Sequence, residues 1–237
     1  MELTPAAQPE TVPGEIGGKQ AGADGDDEVE IERPQSLKIA EFGNACSLYV
    51  PNNYTDDVPH GLVILLHPAG GFDKATLKTS LEAWLPICRR DHLILLQPTA
   101  KDKEGVWGRD DLEFSARRST ARPKGSAWTP RIVTLGWEEG GSLAMRAAAQ
   151  YPERIRAAAL VNGMLVGPLP ENEPQTPLAY FIAAEKSLPN LPQIKAGLKP
   201  LRERFPVTYR ELSAGDDDLS TTQREEFARW IDMLDRI

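Results

Sequence analysis

The sequence predicts an α/β domain in which a mostly parallel sheet lies between two layers of helices, and three observations predict it. Short, continuously apolar runs such as GLVILLH (61–67) and LILLQP (93–98) have the composition of strands covered on both faces. Segments whose apolar residues recur every three or four positions lie between these runs and indicate helices. Strands that alternate with helices are typical of a parallel sheet, because parallel strands need a crossover connection.

The elements follow in chain order. Strand-like runs at 36–42 and 46–51 predict an N-terminal antiparallel hairpin. Six further strands are predicted at 61–67, 93–98, 131–136, 155–163, 177–185 and 205–212. Helices are predicted at 79–90, 141–150, 191–204 and 222–234. The polar segment 101–129 is predicted to be a loop with one short helical candidate at 110–118.

Two helices carry local signals that set their ends. Pro86 predicts either a kink or an early stop in the first helix. For the last helix, Thr222 with Glu225 forms the sequence pattern of a capping box, and Ser220 with Gln223 offers the same pattern in a second register.

Residues 1–34 differ in composition from the rest of the chain. They hold nine acidic and two basic side chains, a net charge of −7, whereas the whole 237-residue chain has −8. This stretch is rich in Pro and Gly and has few large apolar residues, so it cannot bury enough surface to offset its ordering entropy. We therefore predict a disordered acidic tail or linker at 1–34 and one folded domain at 35–237.

Composition also excludes several classes of partner. The chain has no basic cluster that could track phosphates, which argues against nucleic-acid binding. It has no apolar run long enough for a membrane span and no signal peptide, which predicts a soluble protein of unknown compartment. The three consecutive acids at 216–218 do not match the spacing of a calcium loop. We therefore predict no metal and no cofactor.

The hairpin, then LVILLHPAGG (62–71), then RIVTLGWEEGG (131–141) resembles the α/β-hydrolase fold, in particular its small esterase, dienelactone hydrolase and carboxylesterase branch. The resemblance covers the chain from Leu37 to its C-terminus in element order. It implies a sharp turn with the pattern G-x-S-x-G between a strand and a helix. Gly136 and Gly140 match the flanking glycines, Gly141 extends them, and Glu138 stands where the family has its nucleophilic serine.

The resemblance implies two further catalytic positions. The family's histidine falls in the loop before the last helix, where this chain has Asp217, and the family's acid falls near Ser187, with Glu185 as a displaced alternative. The segment HPAGG implies an oxyanion loop in which Ala69, Gly70 and Gly71 offer backbone N–H groups, whereas Pro68 has none. His67 and Glu139 complete the residues expected around this pocket, and we interpret His67 as a structural imidazole.

Three functions follow from these positions. All three triad positions differ from the family pattern, so we expect a catalytically degraded domain, not an enzyme, that binds a small ligand or a protein partner and belongs to a larger multidomain protein. The alternative is an esterase-type hydrolase with Glu138 at the elbow, in which Glu138 or Glu139 is the base or nucleophile and His67 or the acids at 216–218 assist, with or without a metal. A second alternative is a purely structural domain. The aromatic rings of Trp107, Trp128 and Trp137 are expected near the mouth of the sheet, as a stacking pocket or as packing residues.

Overall fold

The computed structural model describes residues 35–38, 44–55, 57–71, 74–108, 110–111, 128–165, 178–213 and 219–234. The side chains of 35–38, 74–78, 80 and 128–131 are outside this description. The predicted tail at 1–34, most of the helical candidate at 110–118 and the acids at 216–218 also lie outside the described residues. The tail and the domain boundary therefore stay predictions.

The described strands form one eight-stranded sheet. In chain order they are β1 (Gln35–Lys38), β2 (Ala45–Tyr49), β3 (His60–Leu66), β4 (Leu93–Pro98), β5 (Trp128–Trp137), β6 (Ala157–Val161), β7 (Ala179–Glu185) and β8 (Val207–Leu212). Their order across the sheet is β1-β2-β4-β3-β5-β6-β7-β8. The pairs β1–β2 and β2–β4 are antiparallel, and the other pairs are parallel. The predicted mostly parallel sheet with an N-terminal antiparallel hairpin is confirmed.

Helices cover both faces of this sheet. They are α1 (Lys74–Asp91), α2 (Glu139–Gln150), α3 (Leu191–Arg202) and α4 (Thr221–Met233). On one face, α2 and α3 pack through residues such as Leu143 and Leu198, and on the other face α1 and α4 pack through Trp84 and Phe227. Alternate residues of β3 belong to the two cores, as a strand buried on both faces requires. The three-layer arrangement is confirmed.

The early stop predicted at Pro86 is wrong. The helix α1 continues through this residue to Asp91. A proline in a helix interior removes one backbone hydrogen bond. The residues that follow, Ile87 and Cys88, are 2% and 0% exposed, and their burial against the sheet holds the last turn in place.

The predicted capping box of Thr222 with Glu225 is also wrong, because the second register forms instead. The Ser220 hydroxyl oxygen accepts a hydrogen bond from the Gln223 N–H at 3.4 Å, and the Ser220 N–H donates to Gln223 Oε1 at 2.7 Å. The helix therefore begins at Thr221. Glu225 accepts a hydrogen bond at 2.9 Å from Arg90, so the long-range ion pair replaces the local cap.

Within the residues that the structure describes, no helix combines the length and apolar character needed to cross a membrane. The two cysteines, Cys46 and Cys88, are buried and are not joined in a disulfide.

Candidate active site

A sharp turn between β5 and α2 places Glu138 at the carboxyl edge of the sheet. The Glu138 backbone has φ 50° and ψ −113°, a conformation that L-residues other than glycine rarely adopt. Two hydrogen bonds hold it: the Glu138 N–H donates to the Val161 carbonyl at 2.8 Å, and the Ser142 N–H donates to the Glu138 carbonyl at 3.1 Å. The Glu138 side chain is exposed. The turn therefore presents a carboxylate outward on a strained backbone.

Backbone crowding explains the glycines around this turn. A Cβ on Gly136 would lie closer than 3.0 Å to the backbone of Gly140, and a Cβ on Gly140 would do the same to the carbonyls of Leu66 and His67. A Cβ on Gly141 would lie 2.9 Å from the Gly136 carbonyl oxygen. Strand and helix thus meet too closely for any side chain at these three positions. The spacing has the steric cause that the family pattern implies.

The predicted oxyanion loop, 67–71, follows β3 and faces the start of α2. The Ala69 N–H donates to Glu139 Oε2 at 3.3 Å, so the donor nearest the turn holds a carboxylate of the chain itself. Gly70 and Gly71 have φ of 82° and 79°, the left-handed region that favours glycine. The Gly71 N–H donates to the Pro68 carbonyl at 3.0 Å within the turn. Of the expected donors, Ala69 is therefore the one placed against an anion.

His67 is enclosed by the loop that follows β4. It is 3% exposed, and its ring stacks on that of Trp107 with centroids 4.2 Å apart. The Ala100 N–H donates to Nε2 at 3.1 Å, so the ring proton sits on Nδ1, which donates to the Pro68 carbonyl at 2.7 Å. Burial lowers the pKa of His67 and keeps the ring neutral. With both ring nitrogens engaged, His67 fastens two loops together and has no nitrogen left to act as a base.

The other two histidines lie at the opposite edge of the sheet. His60 begins β3 and His92 directly precedes β4, with ring centroids 5.2 Å apart. Both strands run parallel to β5, so their amino ends are remote from Glu138. A seven-residue strand such as β3 spans about 20 Å. The chain has three histidines and the structure describes all of them, so the turn has no imidazole base within reach.

The expected acid position follows β7, two strands along the carboxyl edge from β5. The Ser187 hydroxyl donates a hydrogen bond to the Glu185 carboxylate. The Glu185 N–H donates to Asn162 Oδ1 at 2.9 Å, and Asn162 itself has φ 56° at the end of β6. Neighbouring strands lie about 5 Å apart, so this group is about 10 Å from β5 in the plane of the sheet. The structure thus brings Glu139 against Ala69 beside the Glu138 turn. It places Ser187 on the same edge of the sheet, whereas Asp217 lies outside the described residues.

Sequence reasoning missed the buried carboxylate that organises the loop after β4. Asp111 is 2% exposed and accepts hydrogen bonds from Asn44 Nδ2 at 2.8 Å and from the Gly108 N–H at 2.7 Å. In the sequence it is one of two adjacent aspartates in a polar stretch, and nothing there separates it from a solvated acid.

The described tryptophan side chains near this edge are packing residues and do not form an open stacking pocket. Trp107 and Trp137 are buried at 8% and 3% exposure, Trp107 donates from Nε1 to the His67 carbonyl at 2.7 Å, and the side chain of Trp128 is not described.

No described group of three or more His, Cys, Asp or Glu side chains is placed to hold a metal ion.

The strand order, the antiparallel β2, the sharp turn after β5 and the glycine-containing loop after β3 define this chain as a protein of the α/β-hydrolase fold. No protein-family model matches the chain. Over 165 residues it is 24% identical to feruloyl esterase B of Thermothelomyces thermophilus, a match that covers 60% of this chain and 53% of the esterase. The chain thus spans about half the length of the curated relative that it matches.

Solved structures give the same fold. MGS-M1, an α/β hydrolase enzyme from a Medee basin deep-sea metagenome library, superposes with a TM-score of 0.61 at 15% identity over 87% of this chain and 99% of that chain. A carboxylesterase of Bacillus cereus gives a TM-score of 0.53 at 20% identity over 81% of this chain and 94% of that chain. A thermostable esterase gives 0.57 at 17% identity over 86% of this chain and 60% of that chain.

These comparisons correct the function predicted from the sequence. The prediction of a catalytically degraded binding module that is not an enzyme is wrong, because the sequence relative and the structural relatives are esterases or hydrolases. That prediction treated the three changed triad positions as one loss of chemistry. The alternative, an esterase-type hydrolase, agrees better with these relatives.

Proposed function

We propose that the chain is an esterase-type hydrolase in which Glu138 is the catalytic carboxylate. The observation that carries the proposal is the backbone of Glu138, at φ 50° and ψ −113°, packed between three glycines that admit no side chain. Such a backbone stores strain of about 1–3 kcal/mol. Strain of this kind is concentrated at functional sites, and here it aims one carboxylate away from the sheet.

Glu138 acts in this proposal as a general base on water. Direct attack of a carboxylate on an ester would give an anhydride, and hydrolysis of that anhydride would need a second base. His67 has both ring nitrogens engaged, and His60 and His92 lie at the far edge of the sheet. A carboxylate that takes a proton from water needs no such partner, because the water itself forms the new bond to the acyl carbon.

The reaction then balances with water as the second reactant. Glu138 accepts one proton from water as the water oxygen bonds to the ester carbonyl carbon, and the carbonyl oxygen takes the negative charge. Collapse of this intermediate breaks the bond to the alcohol oxygen, which receives the proton from Glu138. The products are a carboxylic acid and an alcohol, and Glu138 is again ionised.

Backbone N–H groups stabilise the negative charge that develops on the carbonyl oxygen. The first N–H groups of α2, beginning at Glu139, have no partner within the helix and point toward its amino end. The Ala69 N–H lies opposite and now donates to Glu139 Oε2 at 3.3 Å. The Glu139 carboxylate has to leave this donor when the oxyanion forms. Glu139 is exposed, so it has room to move.

The named activity of the sequence relative suggests the substrates to try. That relative is a feruloyl esterase, so aromatic acyl esters belong in the assay beside short aliphatic ones. Methyl ferulate and p-nitrophenyl acetate are suitable examples of each.

The test compares wild type with Glu138→Gln, which removes the base and keeps the side-chain shape. We expect kcat/KM to fall by at least about 100-fold, the usual scale for loss of a general base. Glu203→Gln is the matched control, because it makes the same chemical change at an exposed glutamate directly after α3, on the segment that leads into the amino end of β8. Equal activity in wild type and Glu138→Gln, or no turnover by wild type on either ester, overturns the proposal.

Hydrolysis in ¹⁸O-labelled water distinguishes a base from a nucleophile. A general base leaves the Glu138 carboxylate unlabelled after many turnovers, and the label appears only in the product acid. Label found in the peptide that contains Glu138 would establish an anhydride route and overturn the base mechanism.

A further inference from the structure

A cavity lies between the predicted oxyanion loop and the loop that follows β4. Its volume is about 290 Å³, and its polar lining comes from Ser47, His67, Gln97, Thr99, Asp102 and Lys103. Gly70, Gly71 and Gly105 supply backbone walls. We call it the Gln97 cavity. Its volume equals that of roughly ten water molecules in the liquid, at the lower end of the range for ligand pockets.

Gln97 gives this cavity an unmet hydrogen-bonding requirement. Gln97 is 6% exposed on β4, and its Oε1 has no hydrogen-bond donor among the described residues. A buried acceptor without a donor is rare in native proteins, because it loses its water without replacement. Ser47 is the direct cross-strand partner of Gln97 on β2, so both side chains lie on one face of the sheet. A ligand donor that reaches Oε1 would therefore also contact the Ser47 hydroxyl.

The other lining groups offer both donors and acceptors. The Thr99 hydroxyl donates to the Ala45 carbonyl at 2.9 Å, which leaves its oxygen to accept. Asp102 uses Oδ1 to accept the Glu104 N–H at 2.8 Å, and Lys103 adds an ammonium group. The two charges are adjacent and of opposite sign. A net cation would meet Lys103 and a net anion would meet Asp102 and the Gln97 oxygen, so the lining favours a neutral molecule.

The cavity is preformed by contacts within its walls. A Cβ on Gly105 would lie 2.9 Å from the Gly70 carbonyl carbon, so the two loops touch backbone to backbone. Trp107 donates to the His67 carbonyl at 2.7 Å, and Asp111 binds Gly108 at 2.7 Å and Asn44 at 2.8 Å. Walls fixed in this way do not have to be ordered when a ligand binds, which favours affinity for a small molecule.

We propose that the Gln97 cavity binds a small neutral polyol, a molecule of about ten heavy atoms with several hydroxyl groups. Each hydroxyl both donates and accepts, which matches the mixed lining, and one of them donates to Gln97 Oε1. The site differs from the Glu138 turn and does not depend on hydrolysis. Failure of the esterase proposal therefore leaves this one standing, and the reverse also holds.

The test is a titration of the full chain with myo-inositol and D-xylose, followed by ¹H–¹⁵N NMR. We expect saturable shifts at Gly70, Gly71 and Gly105, and a change in the fluorescence of Trp107, which stacks on the cavity residue His67. Sodium acetate and methylammonium chloride are the charged comparison probes, and we expect no saturable shifts with them. Saturation by a charged probe alone, or by none of the four, overturns the proposal.

Two variants connect binding to Gln97. Gln97→Leu keeps the volume and removes the acceptor, so we expect at least tenfold weaker polyol binding with a melting temperature equal to or above that of wild type. Gln150→Leu is the matched control, because Gln150 is an exposed glutamine at the end of α2, and it should bind like wild type. Unchanged polyol binding in Gln97→Leu overturns the assignment of Gln97 as the acceptor site.

Discussion

The strained backbone at Glu138 predicts that glycine is more stable than alanine at this position, which reverses their usual order. Glu138→Ala and Glu138→Gly both remove the carboxylate and its interactions, and they differ only in the Cβ atom. At φ 50° and ψ −113°, a Cβ is associated with strain of about 1–3 kcal/mol. The extra freedom of glycine in the unfolded chain offsets about 0.5–1 kcal/mol of the relief. We therefore expect Glu138→Gly to be more stable than Glu138→Ala by about 1 kcal/mol.

Urea denaturation of the two variants measures this difference directly, and thermal melts should show a shift of about 2–4 °C for a domain of this size. Arg146 is the matched control, because it is exposed in the interior of α2 and is not among the described residues with positive φ. There Arg146→Gly should be less stable than Arg146→Ala by about 0.5–1 kcal/mol. The contradicting result is a Glu138→Gly variant that is less stable than Glu138→Ala by the same amount as Arg146→Gly is less stable than Arg146→Ala. In that case the turn stores no strain and the reasoning about Glu138 is wrong.

Two further predictions follow from the contacts of the oxyanion loop. Glu139→Ala removes the carboxylate that accepts the Ala69 N–H, a single exposed hydrogen bond of about 0.5–1.5 kcal/mol. Because the oxyanion then has no competitor for this donor, kcat/KM for ester hydrolysis should rise about 2- to 10-fold. A fall in kcat/KM would mean that Glu139 assists the reaction. Burial holds the pKa of His67 below its ordinary value of about 6.5. The neutral ring therefore contributes its full stability to the fold above pH 6.5. This contribution is lost as the pH falls through the lower pKa of the folded state. Urea denaturation at a series of pH values should therefore show a shallower loss of stability below pH 6.5 in His67→Gln than in wild type, and parallel curves would contradict this assignment.

The sequence was sufficient for those parts of the fold that depend on local pattern. The strand at Leu93–Pro98 has the predicted bounds, because a continuous apolar run between polar residues defines both ends. Gly136 and Gly140 were located by resemblance to the G-x-S-x-G pattern, and backbone crowding explains why only glycine fits at these two positions. The ends of the helices could not be located from local pattern alone. Packing carries α1 past Pro86. The ion pair of Glu225 with Arg90 leaves the cap of α4 to Ser220.

The site could be predicted only in part, because its contacts are long-range. The His67 ring accepts a hydrogen bond from the Ala100 N–H, 33 residues away in the sequence. The His67 carbonyl accepts one from Trp107, 40 residues away. No local sequence pattern reports contacts at such separations. The bond between Glu139 and Ala69 spans 70 residues. The resemblance to esterases was visible in the sequence, but one altered motif cannot tell a lost activity from a changed one, and the comparisons were needed to correct that choice.

The crowding of Gly136, Gly140 and Gly141 also determines where this protein can adapt. The backbone of this turn packs against itself and against the end of β3, so in the proposed esterase it cannot shift to follow a larger or differently shaped ester. Selection for new substrates would therefore act on the side chains and loops around the turn, while the turn itself stays a fixed reference point. Directed evolution libraries should leave 136–141 untouched apart from Glu138 and Glu139 and place their diversity elsewhere along the carboxyl edge of the sheet.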